Sequence, residues 1–171
     1  CLPKDMKALI NFASISGTKP TLLHAVEEIN TSQLEQIISI ANRKLGNLSG
    51  KKITILGTAF KPNTDDIRDS IAIELIRKLL RKKSKIIIHD PKALANTKKI
   101  FGEKISYSSS MEGALVNSNC AIIMTYWKQY EKINNNTVKN MKKKFIIDSR
   151  RILVKKKLDI DYFAIGLGKE K

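Results

Sequence analysis

The apolar positions of this chain change their period near residue 50. Before that point they recur at helical spacing. Ala8, Leu9, Phe12 and Ile15 predict a first helix over 5–15, and Ser16-Gly17-Thr18-Lys19-Pro20 breaks it. A second helix is predicted over 20–45, with Leu22, Leu23, Val26, Ile29, Leu34, Ile37, Ile38, Ala41 and Leu45 in one broad stripe and Gly46 at the stop. At about 1.5 Å per residue it would be roughly 39 Å long, more than a small domain needs to cover its own core. Such a helix either packs against a second subunit or forms a spine between two domains, and the two readings are compatible.

After Asn47-Leu48-Ser49-Gly50, short β-branched runs alternate with helical stretches. The runs are Ile53-Thr54-Ile55-Leu56, Ile86-Ile87-Ile88, Ala121-Ile122-Ile123-Met124 and Phe145-Ile146-Ile147, with a weaker one at Ile105-Ser106-Tyr107 and a last one at Tyr162-Phe163-Ala164-Ile165. Helical patterns fill 70–82, 92–101, 109–117 and 137–142. Strands that are apolar on both faces belong in a parallel sheet covered on both sides. The expected fold is therefore α/β: a Rossmann-like parallel sheet with helices on both faces, over 49–171, preceded by a long helical segment over 1–48.

Composition changes this picture little. A chain of 171 residues that is 42% hydrophobic can bury a substantial core. No run of apolar residues is long enough to span a bilayer and no leader pattern precedes the first helix, so neither secretion nor membrane insertion is expected. Cys1 and Cys120 have no metal-like spacing and give no disulfide framework, which makes a reducing, cytoplasmic compartment the default expectation. The excess of 32 Lys and Arg over 16 Asp and Glu gives a net charge of +16, a field that attracts phosphates, nucleic acid or acidic lipid. The basic runs Arg81-Lys82-Lys83, Lys142-Lys143-Lys144 and Lys155-Lys156-Lys157 fall where helices or loops end, and there lysines complement helix dipoles. With no recognition module in the sequence, nucleic acid is not expected as a partner.

Ligands of such sheets bind at the carboxyl ends of the strands. The first strand runs into Gly57-Thr58-Ala59-Phe60-Lys61-Pro62-Asn63-Thr64-Asp65-Asp66-Ile67-Arg68-Asp69-Ser70. This is no dinucleotide fingerprint, since only Gly57 stands where three glycines would. Lys61 is a candidate for a phosphate or sugar hydroxyl, Asp65, Asp66 and Arg68 read as an internal ion-pair cluster, and Ser70 reads as a cap for the next helix. Asp90 could hold a ribose or cap a helix. Trp127 could stack on a ring or pack inward. Asp148-Ser149-Arg150-Arg151 places two guanidinium groups past a strand, one of them expected to face outward. Cys120 is assigned to the core. Cys1 could be a reactive thiol, a lipoprotein-type terminus or a buried cysteine.

Taken together, Cys1-Leu2-Pro3-Lys4-Asp5, Ala25-Val26-Glu27-Glu28-Ile29-Asn30, the segment from Gly57 to Arg68, His89-Asp90-Pro91, Thr125-Tyr126-Trp127, Asp148-Ser149-Arg150-Arg151 and Ile165-Gly166 resemble the carboxyl-terminal portion of the UDP-glucose/GDP-mannose dehydrogenase family, most of all its UDP-glucose 6-dehydrogenase branch. They keep the family's order and spacing over essentially the whole chain.

The resemblance implies that a nucleotide sugar is oxidised at C6 to a carboxylate with two NAD molecules in succession. Cys1 would be the nucleophile, trapping the aldehyde as a thiohemiacetal that is oxidised to a thioester and released by water. It further implies that Asp5 helps activate that water. A cation near the thiol would lower its pKa, and Lys4 is a cation close by in sequence, whereas in the family lysines upstream of the cysteine stabilise the oxyanion. Phe60, Lys61 and Arg150 would line the sugar-nucleotide pocket. By the same resemblance 1–48 is the remainder of a central dimerisation region, the NAD-binding domain lies outside this chain, and the fragment alone would not turn over. UDP-glucose is the expected sugar, with UDP-N-acetylhexosamine, GDP-mannose and a noncatalytic UDP-sugar-binding module as alternatives. Three positions depart from the pattern: Ile71 in place of a proline, Tyr126 in place of an acid, and Ser149 in place of a glycine before Arg150.

Overall fold

The computed structural model describes residues 2–167, with side chains from Asp5 onward, so Cys1 and the Lys4 side chain lie outside the described residues. Two helices come first, α1 (Leu2–Ile15) and α2 (Thr21–Leu45). A parallel sheet follows, built from β1 (Lys52–Leu56), β2 (Lys85–His89), β3 (Ser106–Tyr107), β4 (Cys120–Ile123), β5 (Phe145–Asp148) and β6 (Asp161–Ala164). Between them run α3 (Ile71–Arg81), α4 (Leu94–Phe101), α5 (Met111–Leu115) and α6 (Asn135–Val138). The strand order is β3-β2-β1-β4-β5-β6.

Alternation along each strand divides the core into two layers, because successive side chains point to opposite faces. Ile53 and Ile55 of β1, Ile122 of β4 and Ile147 of β5 face a cluster with Leu75, Ile76 and Leu79 of α3 and with Leu34, Ile37, Ile38 and Ala41 of α2. Leu56, Ala121, Ile123 and Ile146 face the other way, toward Leu115 of α5, Val138 of α6, Trp127 and Tyr130. The predicted layers are thus present on both faces.

The long helix serves two environments. Its carboxyl-terminal half is buried at Leu34, Ile37, Ile38, Ile40 and Ala41. Its amino-terminal half and α1 expose Leu22 (76%), Ile29 (59%), Phe12 (67%) and Ile15 (78%). Lys143 donates its Nζ hydrogen to the carbonyl of Lys44 at 2.9 Å, which places a cation on the carboxyl end of α2 as the dipole argument expects. Two predicted elements differ in detail. The last helix lies at Asn135–Val138 rather than 137–142, because Asn134 accepts from the backbone N–H of Asn136 and Thr137 in a capping box that fixes the start earlier. A 3-10 turn over Lys128–Lys132 has no apolar period long enough to announce it.

The order reverses between β1 and β4, whose neighbours continue in opposite directions, and a crevice opens beyond their carboxyl ends. The two chains pass very closely there. Gly57 has φ of 92°, and a Cβ on it would stand 2.5 Å from Thr125 Cβ and 2.8 Å from the Thr125 backbone nitrogen. Glycine is required on both counts. Gly57→Ala is expected to cost about 1–3 kcal/mol through overpacking against a backbone that cannot move aside. Equilibrium urea unfolding checks this, and an unchanged midpoint contradicts the crossing described.

Candidate active site

The segment over 57–70 is folded against the sheet rather than projecting from it. The Gly57 N–H donates to the carbonyl of His89 at 2.9 Å, and the Phe60 N–H donates to the carbonyl of Asp66 at 3.0 Å, closing the loop on itself. Asn96 of α4 donates its Nδ2 hydrogens to the carbonyl and carboxylate of Asp65, at 3.0 and 3.1 Å. The expected ion-pair cluster is therefore only half present. Arg68 pairs with Asp66 through Nη2 at 2.7 Å and through Nε, whereas Asp65 is held by an amide and has no bond to Arg68.

Asp90 is turned inward. It is buried, and its Oδ2 accepts from the N–H of Thr58 at 2.7 Å, the N–H of Ala59 at 3.0 Å and the indole N–H of Trp127 at 3.2 Å. Oδ1 accepts from the N–H of Lys92 and of Ala93. With both oxygens occupied it is not a ribose ligand, and the helix-capping reading is the closer of the two. Trp127 accordingly packs in the core rather than presenting a stacking face. Beside them, the Tyr130 hydroxyl lies 2.9 Å from the carbonyl of His89 and 3.1 Å from His89 Nδ1. Burial lowers the His89 pKa against a weaker opposing pull from Asp90.

Asp148 ends β5 in a similar way, fully buried, accepting from the N–H of Arg150 at 3.0 Å on one oxygen and from the Leu153 N–H and the Tyr162 hydroxyl on the other. Arg150 is thereby aimed across the top of the sheet, where its Nε–H donates to the Met124 carbonyl at 2.6 Å. Loss of hydration lowers its pKa and the Asp148 charge opposes the shift. Among the described residues it makes no ion pair. The serine that departs from the family pattern leaves this geometry intact, since Ser149 Oγ donates downward to the Ile123 carbonyl at 2.6 Å. Arg151, at φ of 56°, is exposed and does not line the same space as Arg150.

A cleft of about 460 Å³ joins these parts, lined by Phe60, Asp66, Arg68, Ser70, Met124 and Arg150 among others. Ser70 sits at the N-cap position of α3 but makes no side-chain cap bond. The first amides of α3, those of Ile71 and Ala72, which also line the cleft, are left without a capping side chain. Of the sequence candidates, Phe60 and Arg150 share this cleft. Lys61 does not line it, but its Nζ stands 5.2 Å from the centroid of the Phe60 ring. Asp5 is exposed on α1 and is not part of the cleft; Cys1 lies outside the described residues. The sequence argument missed Met124, whose contribution is a carbonyl and so carries no side-chain signal. It also missed Arg68 as a wall of the cleft, having assigned it to the loop's interior. Among the described residues no group of His, Cys, Asp and Glu could hold a metal, and no helix is long and apolar enough to cross a membrane.

The model of the UDP-glucose/GDP-mannose dehydrogenase family's UDP-binding domain matches residues 54–155. The chain is 36% identical over 165 residues to the UDP-glucose 6-dehydrogenase AglM of Haloferax volcanii, covering 96% of this chain and 37% of that protein. It is 35% identical to the UDP-glucose 6-dehydrogenase of Rickettsia prowazekii, covering 97% and 40%. The solved structure of a UDP-glucose dehydrogenase from Pyrobaculum islandicum superposes with a TM-score of 0.85 at 31% identity, over 95% of this chain and 36% of that one. This chain thus spans little more than a third of the length of the relatives it matches.

Hydrogen bonds from Arg68, first through its side chain and then through its backbone, hold the Asp66 carboxyl at about 2 against an ordinary 3.8. The sign follows from linkage: the contribution is fully present above the unfolded value and is lost as the pH falls through the folded one. Carboxyl-carbon NMR is expected to show Asp66 titrating near 2, and Arg68→Gln is expected to return it toward 3.8. A titration unmoved by that substitution contradicts the pairing.

Proposed function

Because this chain belongs to the UDP-glucose/GDP-mannose dehydrogenase family, we propose that it is the part of an NAD-dependent UDP-glucose 6-dehydrogenase that grips the nucleotide sugar. The observation that carries this reading is the Phe60–Arg150 cleft at the carboxyl ends of β1 and β4. A guanidinium with no ion pair and the uncapped amino terminus of α3 face the same space, and both favour an anion such as a diphosphate. Phe60 supplies an apolar wall, and Lys61 adds a mobile cation beside that ring.

The first turn of this sheet lacks the glycine fingerprint of a dinucleotide site. A dinucleotide needs glycines that let the pyrophosphate approach the backbone of the first turn, and here only Gly57 stands in that region. NAD is assigned to a part of the protein outside this chain. Oxidation at C6 through a thioester is assigned to Cys1, with Asp5 helping to activate the hydrolytic water and Lys4 as a neighbouring cation. These three assignments rest on the motif alone. The chain by itself is expected to bind without turnover, and the protein is assigned to the cytoplasm and to the supply of sugar acids for polysaccharide synthesis.

Exposed apolar residues on α1 and on the first half of α2 support a homodimer, since a contiguous apolar face of that kind is costly to leave in water. Sedimentation equilibrium is expected to show a dimer that Phe12→Glu combined with Leu22→Glu converts to a monomer. A wild-type monomer at micromolar concentration removes the dimer from the proposal.

Arg150→Ala is expected to weaken UDP-glucose binding by about 1.5–3 kcal/mol, as for loss of a hydrogen bond to a charged group, and Lys61→Ala by less, because Lys61 does not line the cleft. Calorimetry on the complete protein, run against UDP-glucose, UDP-N-acetylglucosamine and GDP-mannose, measures both effects and the sugar preference. Unchanged affinity in Arg150→Ala overturns the cleft assignment.

A further inference from the structure

We propose that Asp90 is a positioning residue for nucleotide-sugar binding, acting through the backbone of Ala59 to set the Phe60 wall of the cleft. The proposal rests on the reading of the cleft given above.

Ala59 is clamped at both of its backbone groups. Its N–H donates to Asp90 Oδ2 at 3.0 Å and its carbonyl accepts from Thr125 Oγ1 at 2.6 Å. The residue before it is fixed as firmly: Thr58 donates its N–H to the same carboxylate oxygen at 2.7 Å, and its hydroxyl meets Thr97 Oγ1 at 2.9 Å. Phe60 therefore leaves a segment with little freedom of its own, and its ring direction is inherited from the Asp90 carboxylate.

The charge on Asp90 is met only by N–H groups, those of Thr58, Ala59, Lys92, Ala93 and the Trp127 indole, and by no ion pair among the described residues. An ionised carboxylate is acceptor-only, which is what such a shell of donors needs. An asparagine cannot replace it. Whichever way its amide is turned, the NH₂ group faces either the three donors now on Oδ2 or the two now on Oδ1, and those donors lose their acceptor. The strain is delivered to the loop that bears Phe60 if the amide nitrogen takes the Oδ2 place, and to the start of the α4 segment if it takes the other.

The test compares Asp90→Asn with Ile86→Ala in the complete protein. Ile86 is buried at the opposite end of the same strand, so its loss destabilises the domain without touching the loop. Asp90→Asn is expected to weaken UDP-glucose affinity by about tenfold or more, raising KM correspondingly while kcat at saturation changes by less than about threefold. Ile86→Ala is expected to lower Tm yet keep affinity within about twofold. Equal loss of affinity in the two variants, or unchanged affinity in a folded Asp90→Asn, overturns the proposal.

If Asp90→Asn does not fold, Trp127→Phe decides. It keeps a ring in the core and removes the indole donor from Oδ2; the volume lost with the second ring is controlled by Ile86→Ala, which also leaves a cavity, and an affinity loss of about threefold beyond that control is expected, with no such loss overturning the proposal. A wild-type protein that binds no nucleotide sugar removes the functional reading instead. Amide exchange at Thr58, Ala59 and Phe60, faster in either variant than in the wild type, then still decides whether the carboxylate holds the loop, and unchanged exchange overturns it.

Discussion

The close approach of Gly57 to Thr125 is the constraint from which the cleft follows. Adjacent parallel strands normally diverge once their ladder ends, and here the chain continues in contact beyond it. The Met124 N–H still reaches the Leu56 carbonyl at 2.9 Å, and Thr125 Oγ1 then reaches Ala59. Such proximity leaves no room for a Cβ on residue 57, so glycine is dictated by sterics as well as by its positive φ. Its effect is to bring the loop after β1 and the turn after β4 into one rigid body. Phe60 and the Arg150 that rests on the Met124 carbonyl then necessarily face a common space.

Rigidity at that edge also depends on two carboxylates that end strands and turn inward. Asp90 after β2 and Asp148 at the end of β5 are both nearly inaccessible to solvent, and both are satisfied by backbone N–H groups with a side-chain donor, Trp127 or Tyr162. Burying a carboxylate is expensive unless its hydrogen bonds are complete, and here they are. Using N–H dipoles rather than arginines for that purpose has a consequence for electrostatics. Arg150, two residues after Asp148, is not consumed by a salt bridge, and its charge remains directed at the cleft. The pair Asp66–Arg68 is the contrasting case, where the guanidinium is largely exposed and the interaction mainly orders the loop.

Most of the architecture was legible in the sequence because the strands are apolar on both faces and the helices between them keep a clear period. The β-branched runs lie within their strands almost residue for residue, and the change of period near residue 50 is where the sheet begins. What remained hidden was of two kinds. The capping box at Asn134 and the 3-10 turn after Trp127 are local hydrogen-bond arrangements over four or five residues, too short for periodicity to reveal. The roles of Asp90 and Asp66 depend on which way a carboxylate points, and a residue letter does not say. Strand-end position selected Lys61 and Arg150 equally, yet only Arg150 is anchored, because its neighbour Asp148 fixes the backbone while Lys61 has only an aromatic ring beneath it.

Having a single glycine in the first turn has a further implication for recognition. A sheet of this topology with a glycine-rich first turn holds a dinucleotide largely through backbone amides and a helix dipole, which do not distinguish one phosphate ester from another. In this chain the first turn has a single glycine, packed against Thr125, the loop runs on to residue 70, and polar side chains of that loop and of the β5 end line the cleft. Contacts of that kind depend on the shape and charge of the ligand as well as on its phosphates. The same loop therefore surrounds the cleft with groups that respond to the shape and charge of whatever binds there, provided the loop is held still, and the buried carboxylate of Asp90 is the group placed to hold it.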